Sequence, residues 1–283
     1  MRRQATAGPE PLAAMSQIPI SDAEFVQFQR FIFDEAGITM APSKKALVGG
    51  RLSKRVLQCG CNSYAEYFRH LKSGRSVAEV QIAVDLLTTN ETYFFRESKH
   101  FDLLREIAQR RRAERQGLRV WSAACSSGEE PYSMAMGLAD CLDNAVPWEI
   151  LGTDISSRVL ERARTGHYSL ERARHVPPAY LKRFCLRGTD EEEGSLLVVR
   201  ELRSRVQFAQ VNLNTTLPQI GSFDVIFLRN VMIYFNGDTK RDVVARVLTN
   251  LRPGGHFCIG HSESLNEITT SLKTLAPSIY QKA

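Results

Sequence analysis

From Gly117 onward the chain alternates short apolar runs with amphipathic helices, and that alternation restricts the fold more than any other feature. LRVWSAA is an apolar run with β-branched and aromatic content, which suits a strand. PYSMAMGLADCLD follows as a helix, with Pro131 in the first-turn position that tolerates it. WEILGTD, VQFAQVNL, FDVIFLRN and HFCIGHSE repeat the strand texture. SSRVLERAR and DTKRDVVARVLTNL repeat the helical one, the second ended by Pro253-Gly254-Gly255. The tail, SLKTLAPSIYQKA, predicts two short strands around Pro277. Strands alternating with helices predict an α/β protein with a parallel, doubly wound sheet over 118–283. The acidic turn Gly188–Gly194, flanked by short runs, predicts a small antiparallel β insertion at about 180–206.

Residues 19–88 have a different texture, with helical spacing and no strand pattern. Ser21 followed by Glu24 is a capping-box pattern, and Gly37 is a natural stop for the helix it opens. A second helix over 43–58 carries Val48, Leu52 and Val56 as an apolar stripe. Lys44, Arg51 and Arg55 make a neighbouring basic stripe, with Lys54 at its edge. SYAEYFRHLKSG and SVAEVQIAVDLLTT add two helices, so a small all-α domain is expected. Residues 89–117 link the halves, with Arg110-Arg111-Arg112 on an exposed helix, and residues 1–18 read as a disordered lead-in.

The 283 residues are 43% hydrophobic and 24% charged, ordinary for a globular protein with a sizeable core. No run of about 18 apolar residues exists, which excludes a transmembrane helix. The start has two arginines but no apolar stretch of signal-peptide length, so a cytoplasmic protein is expected. The six cysteines are scattered, which is no disulfide framework. Cys59-Gly-Cys61 lacks a second pair, so no metal is expected there. The net charge of +6 implies an acidic partner. Much of it is local, since residues 40–75 hold eight basic residues against Glu66 alone.

In a doubly wound sheet the turn after the first strand meets a nucleotide-like ligand. Here that turn is Ala123–Pro131, with Gly128 as its lone glycine. It is no pyrophosphate cradle, but it suits S-adenosylmethionine, which has no phosphate. Glu129 or Glu130 would bind its ammonium group, or else both are surface acids at a helix start. Asp154 ends the second strand and is placed for ribose hydroxyls; the alternative is a helix cap, which Ser156 can supply instead. Arg229 and Asn230 end an apolar strand on the ligand side, with Tyr234 following. No NPPY-like motif of base methylation stands there. The stretch Thr88–Glu97 packs three aromatics and Arg96 into the junction of the halves. Its alternative is a core-anchoring linker with Arg96 paired to Glu97 or Glu91.

TTNETYFFRE, WSAACSSGEEPYS, GTDIS, Val211-Asn212-Leu213, RNVMIYF, LRPGG and GHSES occur in that order. Together they closely resemble the CheR-type chemotaxis receptor methyltransferases, over nearly the whole chain from about residue 20. The resemblance implies a Rossmann-like methyltransferase domain against a helical front, with S-adenosylmethionine between them and S-adenosylhomocysteine as product. It implies that Asn90, Thr92 and Arg96 line the cofactor site, with Glu130 (or its rival Glu129) from the first turn. Asp154 would hold the ribose, Asn212 and Leu213 would flank the adenine, and Arg229 and Asn230 would complete the pocket. Arg96 and Tyr234 would be the catalytic pair nearest the methyl. Lys44, Arg51, Lys54 and Arg55 would face the cytoplasmic helical domain of a receptor. The insertion resembles a β-subdomain that in some members grips a receptor's C-terminal peptide. The acidic triple Glu191–Glu193 is a poor partner for an acidic tail, so tethering stays open.

The nucleophile would be a glutamate carboxylate, already ionised at neutral pH and needing no general base. A packing role is expected for His261. A monomer recruited to receptor arrays, without nucleic acid, completes the expectation. The rivals are a nucleic-acid methyltransferase, prompted by the basic charge, and a non-catalytic receptor-binding adaptor.

Overall fold

A computed structural model of the chain describes residues 19–74, 76–142, 145–269 and 271–283. The expected lead-in at 1–18 lies outside the described residues. The front domain holds α1 (Asp22–Ala36), α2 (Lys45–Gln58), α3 (Tyr64–Lys72) and α4 (Val77–Leu87). Ser21 and Glu24 close the capping box of α1, and the Ser63 and Ser76 hydroxyls accept the third amide of α3 and α4. A short 3-10 turn, Pro42–Lys44, precedes α2, which therefore starts two residues after the expected Ser43. Phe28, Ile32, Val48, Leu52, Val56, Tyr64 and Tyr67 are fully buried in one core. Each such large side chain is worth roughly 1.5–3 kcal/mol of burial. Glu79 enters that core with partners: Arg55 pairs with it and the Tyr67 hydroxyl donates to it at 2.7 Å. The Arg55 guanidinium holds its carboxyl down to about 2.

The rest begins with α5 (Lys99–Ala113), β1 (Leu118–Ser122), α6 (Glu129–Leu142), β2 (Trp148–Asp154) and α7 (Ser157–Thr165). The insertion follows as β3 (His167–Ser169), α8 (Pro178–Phe184), β4 (Cys185–Arg187) and β5 (Ser195–Val198). Then come α9 (Arg200–Arg203), β6 (Val206–Gln210), β7 (Phe223–Leu228), α10 (Gly237–Thr249), β8 (Leu251–Ile259), β9 (Leu272–Ala276) and β10 (Ile279–Lys282). The main sheet has the order β6-β2-β1-β7-β8-β10-β9. The first five are parallel neighbours, and the C-terminal hairpin adds antiparallel pairs. All six residues of β7 are buried, because helices cover both faces and an apolar run is what such a strand needs. Its one acid, Asp224, is matched by Arg111, Arg252 and the Arg119 amide. Tyr132, Met134 and Leu138 of α6 pack with Phe101 and Leu104 of α5 on one face, and Val243, Val244 and Val247 of α10 on the other. Strand order reverses between β1 and β7, and a crevice opens beyond their carboxyl ends.

Three further boundaries differ from expectation. The antiparallel sheet, ordered β3-β5-β4, starts at His167 rather than near 180, and α8 lies inside it. A three-residue strand is too short to leave a period-two pattern. Pro253-Gly254-Gly255 lies inside β8, where the register against β7 shifts. Pro253 is exposed near the strand's start, where its missing amide costs little. The linker 89–117 is largely α5, with Arg110 and Arg112 exposed and Arg111 spent on Asp224. The six cysteines are free thiols. No helix among the described residues is long and apolar enough to cross a membrane.

Candidate active site

The crevice holds a cavity of about 420 Å³, walled by both domains. One wall is the turn after β1. Ser126 takes a left-handed φ of 49°, its amide donates to Asp154 Oδ2 at 2.8 Å, and its hydroxyl donates to the Asn90 carbonyl at 2.8 Å. Asp154 lines the cavity from the end of β2. Its Oδ1 accepts the Ser156 amide at 2.9 Å, so each oxygen keeps a lone pair beyond its backbone partner. Burial pushes this carboxyl up to about 6, against the pull of the Ser156 and Ser126 amides. The Ser156 side chain does not cap α7, and its buried hydroxyl has no partner. Asp85 of α4 caps that helix across the domain boundary, accepting from the Ser157 amide at 3.0 Å and hydroxyl at 2.8 Å.

The two glutamates of the first turn part company. Glu130 lines the cavity, accepting from the Ser122 hydroxyl and from Arg229 Nη1, both at 2.7 Å. Glu129 is fully buried on the other side, where Arg172 Nε reaches it at 2.7 Å. The insertion thereby grips the turn, and the Tyr168 hydroxyl adds a bond to the Ser127 carbonyl at 2.7 Å.

Asn90, Thr92 and Arg96 line the cavity from the junction. Arg96 lies over the Tyr93 ring and donates to the Glu91 carbonyl at 3.3 Å. Tyr234 faces in from a 3-10 turn, Met232–Tyr234, which the front domain ties down. The Thr39 amide donates to the Tyr234 carbonyl at 2.8 Å, beside an Ile38–Phe235 bridge. Burial raises the Tyr234 phenol, and Arg96 and Arg51 oppose the rise. Asn212 and Leu213 complete the far wall. Asn212 Nδ2 donates to the Glu35 carbonyl at 2.6 Å, again joining the domains. Arg229 and Asn230 also line the cavity, but their polar atoms go largely to neighbours: Arg229 to Glu130, Glu97 and the Arg96 carbonyl, Asn230 to Glu97 and Glu263.

The basic stripe on α2 divides. Arg55 is spent on Glu79, and Arg51 turns inward to the Leu87 and Thr88 carbonyls at 3.0 Å each. Lys44 and Lys54 are exposed, and Lys44, Leu47 and Arg51 line the cavity. His261 is half-exposed outside the cavity lining, its ring against His100 and its amide 3.2 Å from Glu97. Asp85, Ser126, Glu97, Glu263 and the segment 36–41 also shape the site without having been singled out as site residues. Glu97, Ser126 and Glu263 lay within motifs visible in the sequence. Asp85 acts through a docking of domains that local pattern does not encode.

Residues 23–88 match the family model described as CheR methyltransferase, all-alpha domain, and residues 90–280 match CheR methyltransferase, SAM binding domain. The chain belongs to the CheR methyltransferase family. Among CheR relatives, Chemotaxis protein methyltransferase 2 of Pseudomonas aeruginosa is 41% identical over 98% of this chain and 99% of its own length. The Chemotaxis protein methyltransferase of Salmonella typhimurium is 40% identical over 95% of this chain and 93% of its own. That of Escherichia coli is also 40% identical, over 95% and 94%. As a CheR protein this chain is a methyltransferase with S-adenosylmethionine as cofactor. The residues present fit that group. The buried Asp154 carboxylate has lone pairs for a diol, Val211, Leu213 and Ile155 offer apolar wall, and Glu130 supplies an anion.

Proposed function

We propose that this methyltransferase esterifies glutamate side chains on the helical cytoplasmic domains of chemotaxis receptors. One observation carries the proposal: Arg96 and Tyr234 line the same cavity as Asp154, and so do the cations Lys44 and Arg51. That arrangement draws an anionic nucleophile toward the cofactor's end of the crevice. The names of the relatives, chemotaxis protein methyltransferases, agree with it.

S-adenosylmethionine supplies a methyl group on a positively charged sulfonium. The protein's part is to hold the acceptor in line, which in good geometry is worth about 7–11 kcal/mol. A glutamate carboxylate, with a pKa near about 4.3, arrives ionised and needs no base. No His or Cys lines the cavity among the described residues. Arg96 steers the carboxylate and the Tyr234 hydroxyl donates to one of its oxygens. Arg96 is only half-buried, which keeps its attraction moderate. Charge is consumed as the methyl moves, so an over-tight ion pair would stabilise the ground state more than the transition state. Lys44, just before α2, and Lys54 on it are the exposed cations that remain available to meet a receptor surface.

Incubation with radiolabelled cofactor and receptor-containing membranes tests the proposal. Base-labile, volatile label on a receptor band is expected, and Arg96→Ala should lower its rate by about 100-fold. Label on nucleic acid would favour the first rival. Heat on titration with S-adenosylhomocysteine, with no transfer to any receptor, would remove the substrate assignment. No heat at all would favour the adaptor.

A further inference from the structure

We propose that Glu97 is a positioning residue for Arg96, clamping the loop that presents it; this rests on the catalytic role of Arg96 proposed above. The starting observation is backbone strain. Phe95 has a φ of 56° and Glu97 a φ of 60°, so left-handed residues flank Arg96 on both sides. Neither is a glycine, and neither side chain favours that region, so the loop needs outside support.

The support comes from two directions. On the N-terminal side the Phe95 amide donates to the Ser133 hydroxyl at 2.9 Å, and Phe94 is fully buried against Tyr168. On the C-terminal side it comes from the Glu97 carboxylate. Its Oε2 accepts from Arg229 Nη2 at 3.0 Å, and its Oε1 accepts from Asn230 Nδ2 and the His261 amide, each at 3.2 Å. Arg229 also donates to the carbonyl of Arg96 itself and to Glu130. Asn230 is left-handed too, with a φ of 58°. The turn after β7 and the strained loop before α5 thus hold each other, and Glu97 is the acceptor at the centre.

Glu97 also forms a cluster with His100 and His261, their ligand atoms within 4.8 Å of one another. The cluster is a clamp rather than a metal site. The Arg229 guanidinium stands 3.0 Å from the oxygen that both rings approach, at 3.6 and 3.9 Å, and so fills the place of a cation.

A double-mutant cycle tests the inference. Glu97→Ala should lower kcat for methyl transfer about 30-fold, and Glu97→Gln, which keeps an acceptor for Arg229, about 3-fold. Arg96→Ala with Glu97→Ala should be no slower than Arg96→Ala alone, because Glu97 acts through Arg96. Amides of residues 93–98 should exchange hydrogen about ten-fold faster in Glu97→Ala, with β1 and α6 unchanged. Additive losses in the cycle, parent-like exchange at 93–98, or a rise spread over the whole chain would each overturn the proposal. The exchange arm reads the clamp even if the parent protein transfers nothing to receptors, an outcome that would sink the substrate assignment instead.

Discussion

Asp154 combines two demands that pull in opposite directions. In its proposed role as ribose acceptor it lies buried at the end of β2, yet burial disfavours its charge. Its carboxyl is pushed up to about 6 from an ordinary 3.8. The stability a raised acid contributes is fully present below its unfolded value and is lost as pH rises through its folded value. Asp154 therefore favours the empty fold below about 6 and strains it above. In the proposed role, ligand binding has the opposite sign, because the ionised carboxylate is the better acceptor for ribose hydroxyls. Affinity for S-adenosylhomocysteine is expected to fall about 3–10-fold between pH 7 and pH 5 as Asp154 takes up a proton. Calorimetry at both pH values checks this, and Asp154→Asn should flatten the dependence. An unchanged pH response in that variant would place the titrating group elsewhere. The acid's position was legible in the sequence because it ends an apolar strand at a fixed offset from the first turn. Its raised carboxyl was not, since that depends on how deeply the folded chain buries it, with Asp85 of α4 nearby.

Helix α7 shows the same division one level up. Its existence follows from local pattern, and it ends at Gly166 in the left-handed conformation of a C-cap. Its N-terminal cap does not, because the acceptor is Asp85, brought from α4 by the docking of the front domain. Asp85→Ala leaves the Ser157 and Arg158 amides without that partner and should cost about 1–2 kcal/mol. Asp85→Asn keeps an acceptor and should cost less. Urea unfolding measures both, and a parent-like midpoint for the alanine variant would deny the cap any weight. The insertion tells a related story. Its acidic turn was visible, but β3 was not, because three residues pair only when β5 is brought alongside.

The whole molecule is a joint between an all-α front and a twisted sheet, with the cavity in the joint. Gly37 shows how tight the joint is. It ends α1 with a φ of +70°, and a Cβ there would stand 2.7 Å from the Thr239 Cγ2 of α10. Just beyond it, Thr39 holds the turn that carries Tyr234. The front domain thus builds part of the site as well as presenting α2 outward. Its proposed outward role, receptor contact, predicts a separation of effects. Lys44→Glu with Lys54→Glu should raise KM for receptor membranes about ten-fold, more at low salt, while leaving affinity for S-adenosylhomocysteine unchanged. Equal KM for the charge-reversed protein would move receptor contact off this helix face. Arg51 and Arg55 are unsuited to that test, since both support the fold from inside.

Local chemistry settled the order of helices and strands, the first-turn acids and the acid at the end of β2, because periodicity and end signals are properties of contiguous residues. The family's ordered motifs were readable for the same reason. Tertiary structure alone decided that Glu130 and not Glu129 faces the cavity. It also turned two arginines of a basic stripe inward, and it brought Asp85 and Glu97 to support residues far along the chain. Those outcomes depend on which buried charges find partners once the domains meet, and a buried charge takes the partner that packing supplies.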